Sequence, residues 1–169
     1  MIDINKRLTE NQKDFFNRLS INVDDINIHF YGSIKRLDYI ENKSDIDIDI
    51  FTNNENSTII KLSNFLNINK SNFKKIVYVI NNRIIVGYKT KYIDEKNNIN
   101  VEMSIYNEKN KEIVIKKHDE GINLPFYKLI LLYIIKVCYY NLQIISSESY
   151  SILKNIINHN SNERNFILL

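Results

Sequence analysis

Between Ser44 and Phe51 the chain reads Ser-Asp-Ile-Asp-Ile-Asp-Ile-Phe, and so strict an alternation leaves few ways to fold it. A β-strand points successive side chains to opposite faces, which sends Ile46, Ile48 and Ile50 one way and Asp45, Asp47 and Asp49 the other. Neighbouring carboxylates on one face then lie about 6–7 Å apart along the strand and repel each other. Folding alone has no use for that repulsion. A divalent cation or two between the carboxylates removes it, and all-oxygen ligands point to Mg²⁺ or Mn²⁺.

A second strand is expected just upstream, where Ile26-Asn27-Ile28-His29-Phe30-Tyr31 also alternates and ends at Gly32-Ser33. Without a Cβ, Gly32 admits a phosphate close to the backbone. Ser33 is expected to cap a short helix running to Tyr39, whose free N–H groups suit an anion. A phosphate cradle beside metal-binding carboxylates is the equipment of phosphoryl or nucleotidyl transfer.

Gly32-Ser33, then 11 residues (34–44), then Asp45-x-Asp47 in an apolar strand resembles the signature of the DNA polymerase beta-like nucleotidyltransferase superfamily. Ser44-Asp45-Ile46-Asp47 matches its Ser-Asp-hydrophobic-Asp wording. Val101–Glu112 and Leu124–Leu142 are further similar in wording to short nucleotidyltransferase-domain proteins of giant DNA viruses. The resemblance implies an α+β fold: a mixed sheet flanked by helices, with a nucleotidyltransferase core over 1–107 and a helical extension over 108–169 of one domain. It also implies an NTP substrate, ATP among the candidates, and a third acidic residue on a later strand. Glu102 is the position that fits, although relatives usually carry Asp there.

Composition bounds the alternatives. With 169 residues, 44% apolar and 25% charged, one globular domain is the default. A net charge of +3 tolerates a polyanionic partner without requiring one. The single cysteine, Cys138, rules out an internal disulfide and fits an intracellular, cytoplasmic setting. No secretory layout opens the chain, and the apolar run Leu129–Ile135 is far short of a membrane span. The abundance of Ile, Asn and Lys, with no alanine, reads as the imprint of an AT-rich coding sequence and carries little functional information.

Taken in order, Thr9-x-x-Gln12 is a capping box opening a helix over about 8–20. A turn at Asn22–Asp25 precedes the first strand. After the acidic strand (45–52), Ser57 is expected to cap a helix through Ile59–Leu66. Three strands follow, Lys75–Ile80, Arg83–Ile93 and Ile99–Tyr106, joined tightly at Asn81-Asn82 and more loosely at Asp94–Asn98. In the last of them Glu102, Ser104 and Tyr106 share an open face. Lys111–Lys117 reads equally as strand or helix. Gly121 breaks the chain, and Pro125 opens a helix over Phe126–Leu142 that is apolar on nearly all sides, as a buried central helix would be. Ser146 or Ser147 caps a last helix near 148–158, and the polar residues 158–165 are expected to fray.

Each functional reading has a plain alternative. Asp45 and Asp47 are metal ligands or an acidic solvent face; two ions about 3.5–4 Å apart would hold the phosphates and activate the acceptor oxygen. Asp49 offers the competing pair Asp47/Asp49 but sits deeper. Glu102 is a ligand and general base or an exposed strand glutamate. A calcium loop is excluded, because its sixth and twelfth positions are Ile50 and Asn56. Lys35, Arg36 and Lys43 are placed to steady a triphosphate or are simply solvated. Lys128 and Lys136, eight apart on the apolar helix, are expected to snorkel to the surface rather than reach a phosphate. His29, His118 and His159 lack metal-ligand spacing, and Cys138 reads as core. The expectation is therefore a Mg²⁺-dependent enzyme moving an NMP from an NTP to an acceptor hydroxyl. Its acceptor is a small molecule, a protein hydroxyl or a nucleic-acid end. The rival is an inactive module that binds a nucleotide or a partner.

Overall fold

The computed structural model describes residues 3–23, 26, 28–80, 82–158 and 166–168. The fold is α+β, built on one mixed sheet. In chain order the elements are α1 (Glu10–Asn22), β1 (Ile28–Tyr31), β2 (Ile46–Thr52), α2 (Glu55–Leu66), β3 (Lys74–Ile80), β4 (Arg83–Asp94), β5 (Ile99–Asn107), α3 (Lys111–Glu120), α4 (Phe126–Lys136), α5 (Ser147–Asn158) and β6 (Phe166–Leu168). The strands lie in the order β1-β2-β5-β4-β3-β6. Only β2 and β5 run parallel; the other neighbours are antiparallel. β6, at Phe166–Leu168, pairs antiparallel with β3 and is not expected from the sequence pattern.

The alternation in β2 divides the molecule into two layers. Ile46, Ile48 and Ile50 are fully buried, as are Val101, Met103 and Ile105 beside them on β5. Against this face pack Phe15, Phe16 and Leu19 of α1 and Ile59, Leu62 and Leu66 of α2. Each such side chain contributes about 1.5–3 kcal/mol of transfer free energy, so this layer supplies most of the cohesion. α1 opens with the expected capping box: Thr9 Oγ1 accepts from Gln12 N–H while Gln12 Oε1 accepts from Thr9 N–H. α2 is capped by Asn54 rather than Ser57, whose backbone N–H donates to the Asn54 side chain. It stops at Asn67, which adopts the left-handed conformation.

On the opposite face a smaller cluster of Phe51, Ile76, Ile85, Tyr106 and Val114 closes one end of the sheet beneath α3. The segment that read as strand or helix is thus a helix, with Val114 turned to the sheet.

The helix expected to be central and buried departs most from its reading. It is helical over Phe126–Lys136, then continues as a π turn through Val137–Asn141. Its buried residues are Lys128, Leu132 and Lys136, while Phe126, Tyr127, Ile130, Leu131, Tyr133 and Ile134 are exposed. Lys136 therefore does not snorkel, and Lys128 is largely buried as well. Lys136 Nζ lies 3.0 Å from Asp38 Oδ2, donates to Asp38 O at 3.0 Å and reaches Ser44 Oγ at 3.3 Å. A buried ion pair, not apolar burial, fixes this helix against the loop that leads into β2. Cys138 is half-buried in the π turn rather than in the core. Ser146 caps α5 by accepting from Ser149 N–H. The connection at Asn81, the acidic turn at Asp24-Asp25, His159 and the tail through 165 lie outside the described residues. No helix among the described residues is long and apolar enough to cross a membrane.

Candidate active site

Strand register assembles the site. Tyr31 on β1 is paired with Asp47 on β2, Asp47 with Glu102 on β5, and Glu102 with Lys91 on β4. The next row down reads His29, Asp49, Ser104, Lys89. Two carboxylates from separate strands thus stand side by side, with Asp45 just before β2 on the same side. The turn after Tyr31 closes onto them. Gly32 has φ +71°, and a Cβ there would overlap Asp47 Oδ2 and lie 3.1 Å from its Cγ. The glycine is needed for its backbone conformation and for the closeness of Asp47. Gly32–Lys35 is a 3-10 turn with no side-chain cap. Ser33 lies within it, almost wholly buried, so the expected capped helix to Tyr39 does not form; the direct return of the chain through Arg36–Asp38 precludes it.

Asp45, Asp47 and Glu102 line one cavity of about 480 Å³ together with Gly32, Ser33 and Arg36. That volume is typical of a small-ligand site. The same cavity is lined by Lys117 and His118 of α3, Lys136 of α4, and Lys154 and Asn158 of α5. Lys35 and Lys43 are not part of it. Lys35 lies 4.0 Å from Asp119, and Lys43 is exposed. Arg36 reaches the cavity but is held bidentately by Asp38, at 2.8 and 3.0 Å, and donates to Gly121 O. Burial pushes the Asp38 carboxyl up, yet Arg36 and Lys136 outweigh it and hold the group below the usual carboxylate range.

The carboxylates are electrostatically unresolved. Burial first, then the charges of Asp45 and Glu102, push the Asp47 carboxyl up to about 8. Glu102 is answered by Lys89 at 2.6 Å and Asp45 by Lys91 at 3.6 Å. With two of the three turned to lysines, no three acidic or histidine side chains among the described residues are grouped closely enough to ligate one ion as they stand. The donor chemistry nonetheless fits Mg²⁺ or Mn²⁺: three carboxylates border one cavity, and burial with its neighbours' charges keeps a proton on the middle one that a cation would displace.

Asp49 does not border the cavity. It is fully buried, and its Oδ2 lies 2.7 Å from His118 Nδ1. Burial pushes its carboxyl up and His118 pulls it back. The pair lining the cavity is therefore Asp45/Asp47. His118 was missed from the sequence because its partner is 69 residues away. A helical reading of Lys111–Glu120 would have found it, since Val114 and His118 fall four apart on one helical face. Lys117, Lys154, Lys89 and Lys91 carried no signal in a chain this rich in lysine.

No family model matches the chain, and no curated protein or solved structure does either.

Proposed function

We propose that the protein is a metal-dependent nucleotidyltransferase that moves an NMP from an NTP to an acceptor hydroxyl and releases pyrophosphate. One observation carries this reading: Asp47 and Glu102 are side by side on adjacent strands, with Gly32 closed onto Asp47, and all three line a ligand-sized cavity. Asp45, Asp47 and Glu102 would hold Mg²⁺ or Mn²⁺. The ion would supply charge neutralisation at the phosphates and a lowered proton affinity of the acceptor oxygen. The Gly32-Ser33 turn binds phosphate, and the cationic wall of Lys117, Lys136 and Lys154 balances the charge of the nucleotide. In the transfer, the acceptor oxygen forms a bond to the α-phosphorus, the bond from that phosphorus to the bridging oxygen breaks, and pyrophosphate leaves with its electrons. The hydroxyl proton passes to a carboxylate, Glu102 or one of the aspartates.

The test is transfer from α-labelled NTPs with Mg²⁺ to small hydroxyl acceptors, to proteins including the chain itself, and to nucleic-acid ends. Label should move in the native protein and fall by on the order of 10³-fold in Asp47→Asn. The ion pairs Glu102–Lys89 and Asp45–Lys91 favour a second reading, a nucleotide-binding module whose lysines have taken the place of the metal. That reading calls for nucleotide binding without transfer and without any response to Mg²⁺.

A further inference from the structure

His118 borders the cavity and is held in place from two directions. Its Nδ1 is hydrogen-bonded to Asp49, whose side chain is fully buried, and its ring stacks on Tyr31 with centroids 3.9 Å apart and planes 17° apart. The imidazole is still 19% exposed and borders the cavity. With Nδ1 turned down into the sheet and one ring face covered, the polar edge left to the cavity is Nε2. It has no hydrogen-bond partner among the described residues.

Placement indicates what Nε2 meets. Tyr31 immediately precedes the Gly32-Ser33 turn, so the ring stands beside the cradle. Lys117, Arg36 and Lys136 border the same cavity and are answered by two carboxylates, Glu120 for the first and Asp38 for the other two, which leaves this wall cationic. Asp45, Asp47 and Glu102 border the same cavity, Asp47 opposite Tyr31 in the strand register and two residues from Asp49 on the same face of β2. An anion with several acceptor oxygens suits the His118 wall. Toward such an oxygen the ring donates from Nε2–H, the proton shared between Nδ1 and Asp49 Oδ2 lying on either atom.

We infer that His118 Nε2 is a phosphate ligand, contacting the two terminal phosphates of a bound nucleoside triphosphate and the pyrophosphate they become. This rests on the cavity being a nucleotide site and adds a binding residue outside the carboxylate motif. Asp49 acts through His118 as a positioning residue, fixing the ring so that little freedom is lost on binding. It also accounts for a third aspartate that does not border this cavity.

Inorganic pyrophosphate with Mg²⁺ is the probe, titrated calorimetrically into the full chain. His118→Gln should weaken binding by on the order of 10-fold, the worth of one charge-assisted hydrogen bond. A long-range proton–nitrogen NMR spectrum of the native protein should show the His118 Nε2 resonance moving on addition of pyrophosphate, which needs no variant to fold. Equal affinity in the variant, an unmoved Nε2 resonance, or lost turnover at unchanged KM for the nucleotide would each overturn the assignment. If native protein binds neither pyrophosphate nor NTP, the nucleotide reading of the cavity falls too. If it binds both and transfers label, only the role of His118 is in question.

Discussion

β2 presents one strand to two environments. On one side Ile46, Ile48 and Ile50 meet α1 and α2 with no exposed surface to speak of. On the other, Asp45 and Asp47 face a cavity and each other's charge. The first face is resolved by burial alone, whereas the second meets its charges with lysines on Asp45 and Glu102 and leaves Asp47 to hold a proton. Proteins tolerate so perturbed a carboxyl mainly where it serves binding or catalysis. The comparison breaks most visibly by mutation at adjacent residues. Ile48→Ala should cost about 3–4 kcal/mol in denaturant unfolding, because it empties a fully buried site. Asp47→Asn, one residue away, should make the metal-free protein at pH 8 more stable while abolishing transfer. A core-like loss of stability in Asp47→Asn would erase the distinction between the faces.

The same contrast recurs between α2 and α4. α2 buries Ile59, Leu62 and Leu66, whereas α4 buries Lys128 and Lys136 and exposes most of its apolar residues. α4 should therefore depend on its ion pair. Lys136→Met leaves Asp38 buried with Arg36 as its remaining cation and should cost roughly 3 kcal/mol. Adding Asp38→Asn to that variant should restore part of the loss. Additive losses would instead mean that α4 is held by packing around Leu132.

This difference also explains what was legible in the sequence. The alternation in β2, the three strands after α2 and the Thr9–Gln12 box depend on neighbours two to four residues apart, and all are present. Glu102 was found because alternation fixed its face, and register then placed it beside Asp47. The misreadings concern charges whose partners are distant in sequence. Lys136 is buried by Asp38, 98 residues away, and His118 by Asp49, 69 away. Hydrophobicity failed for α4 because isoleucine is so common in this chain that an apolar helix need not be a buried one. Ser33 has the chemistry of a cap, but the turn at Gly32 is shaped by the approach of Asp47, a tertiary contact.

The smallest expected effect sharpens the comparison furthest, because it isolates one carboxyl. Asp47 titrates at about 8 in the folded chain and near 3.8 when unfolded, so between those values the folded protein holds a proton that the unfolded chain has released. Stability of the metal-free protein then falls with rising pH, by about 1.4 kcal/mol per unit for one proton. His29 works in the opposite sense at the acid end. Burial, then Lys35, lowers it to about 4, so stability gained from its deprotonation rises between about 4 and 6.5. Asp49, also raised, adds to the fall. The window where Asp47 dominates is thus about pH 6.5–8, above which its contribution levels off. Unfolding midpoints measured across that window should decline in the native protein and stay nearly flat in Asp47→Asn. Saturating Mg²⁺ should flatten the native profile as well, since a cation replaces the proton. Calorimetry at pH 7 in buffers of different ionisation enthalpy should then detect proton release as Mg²⁺ binds. A decline that persists in Asp47→Asn would locate the extra proton elsewhere, and Mg²⁺ binding without proton release would remove Asp47 from the ligand set.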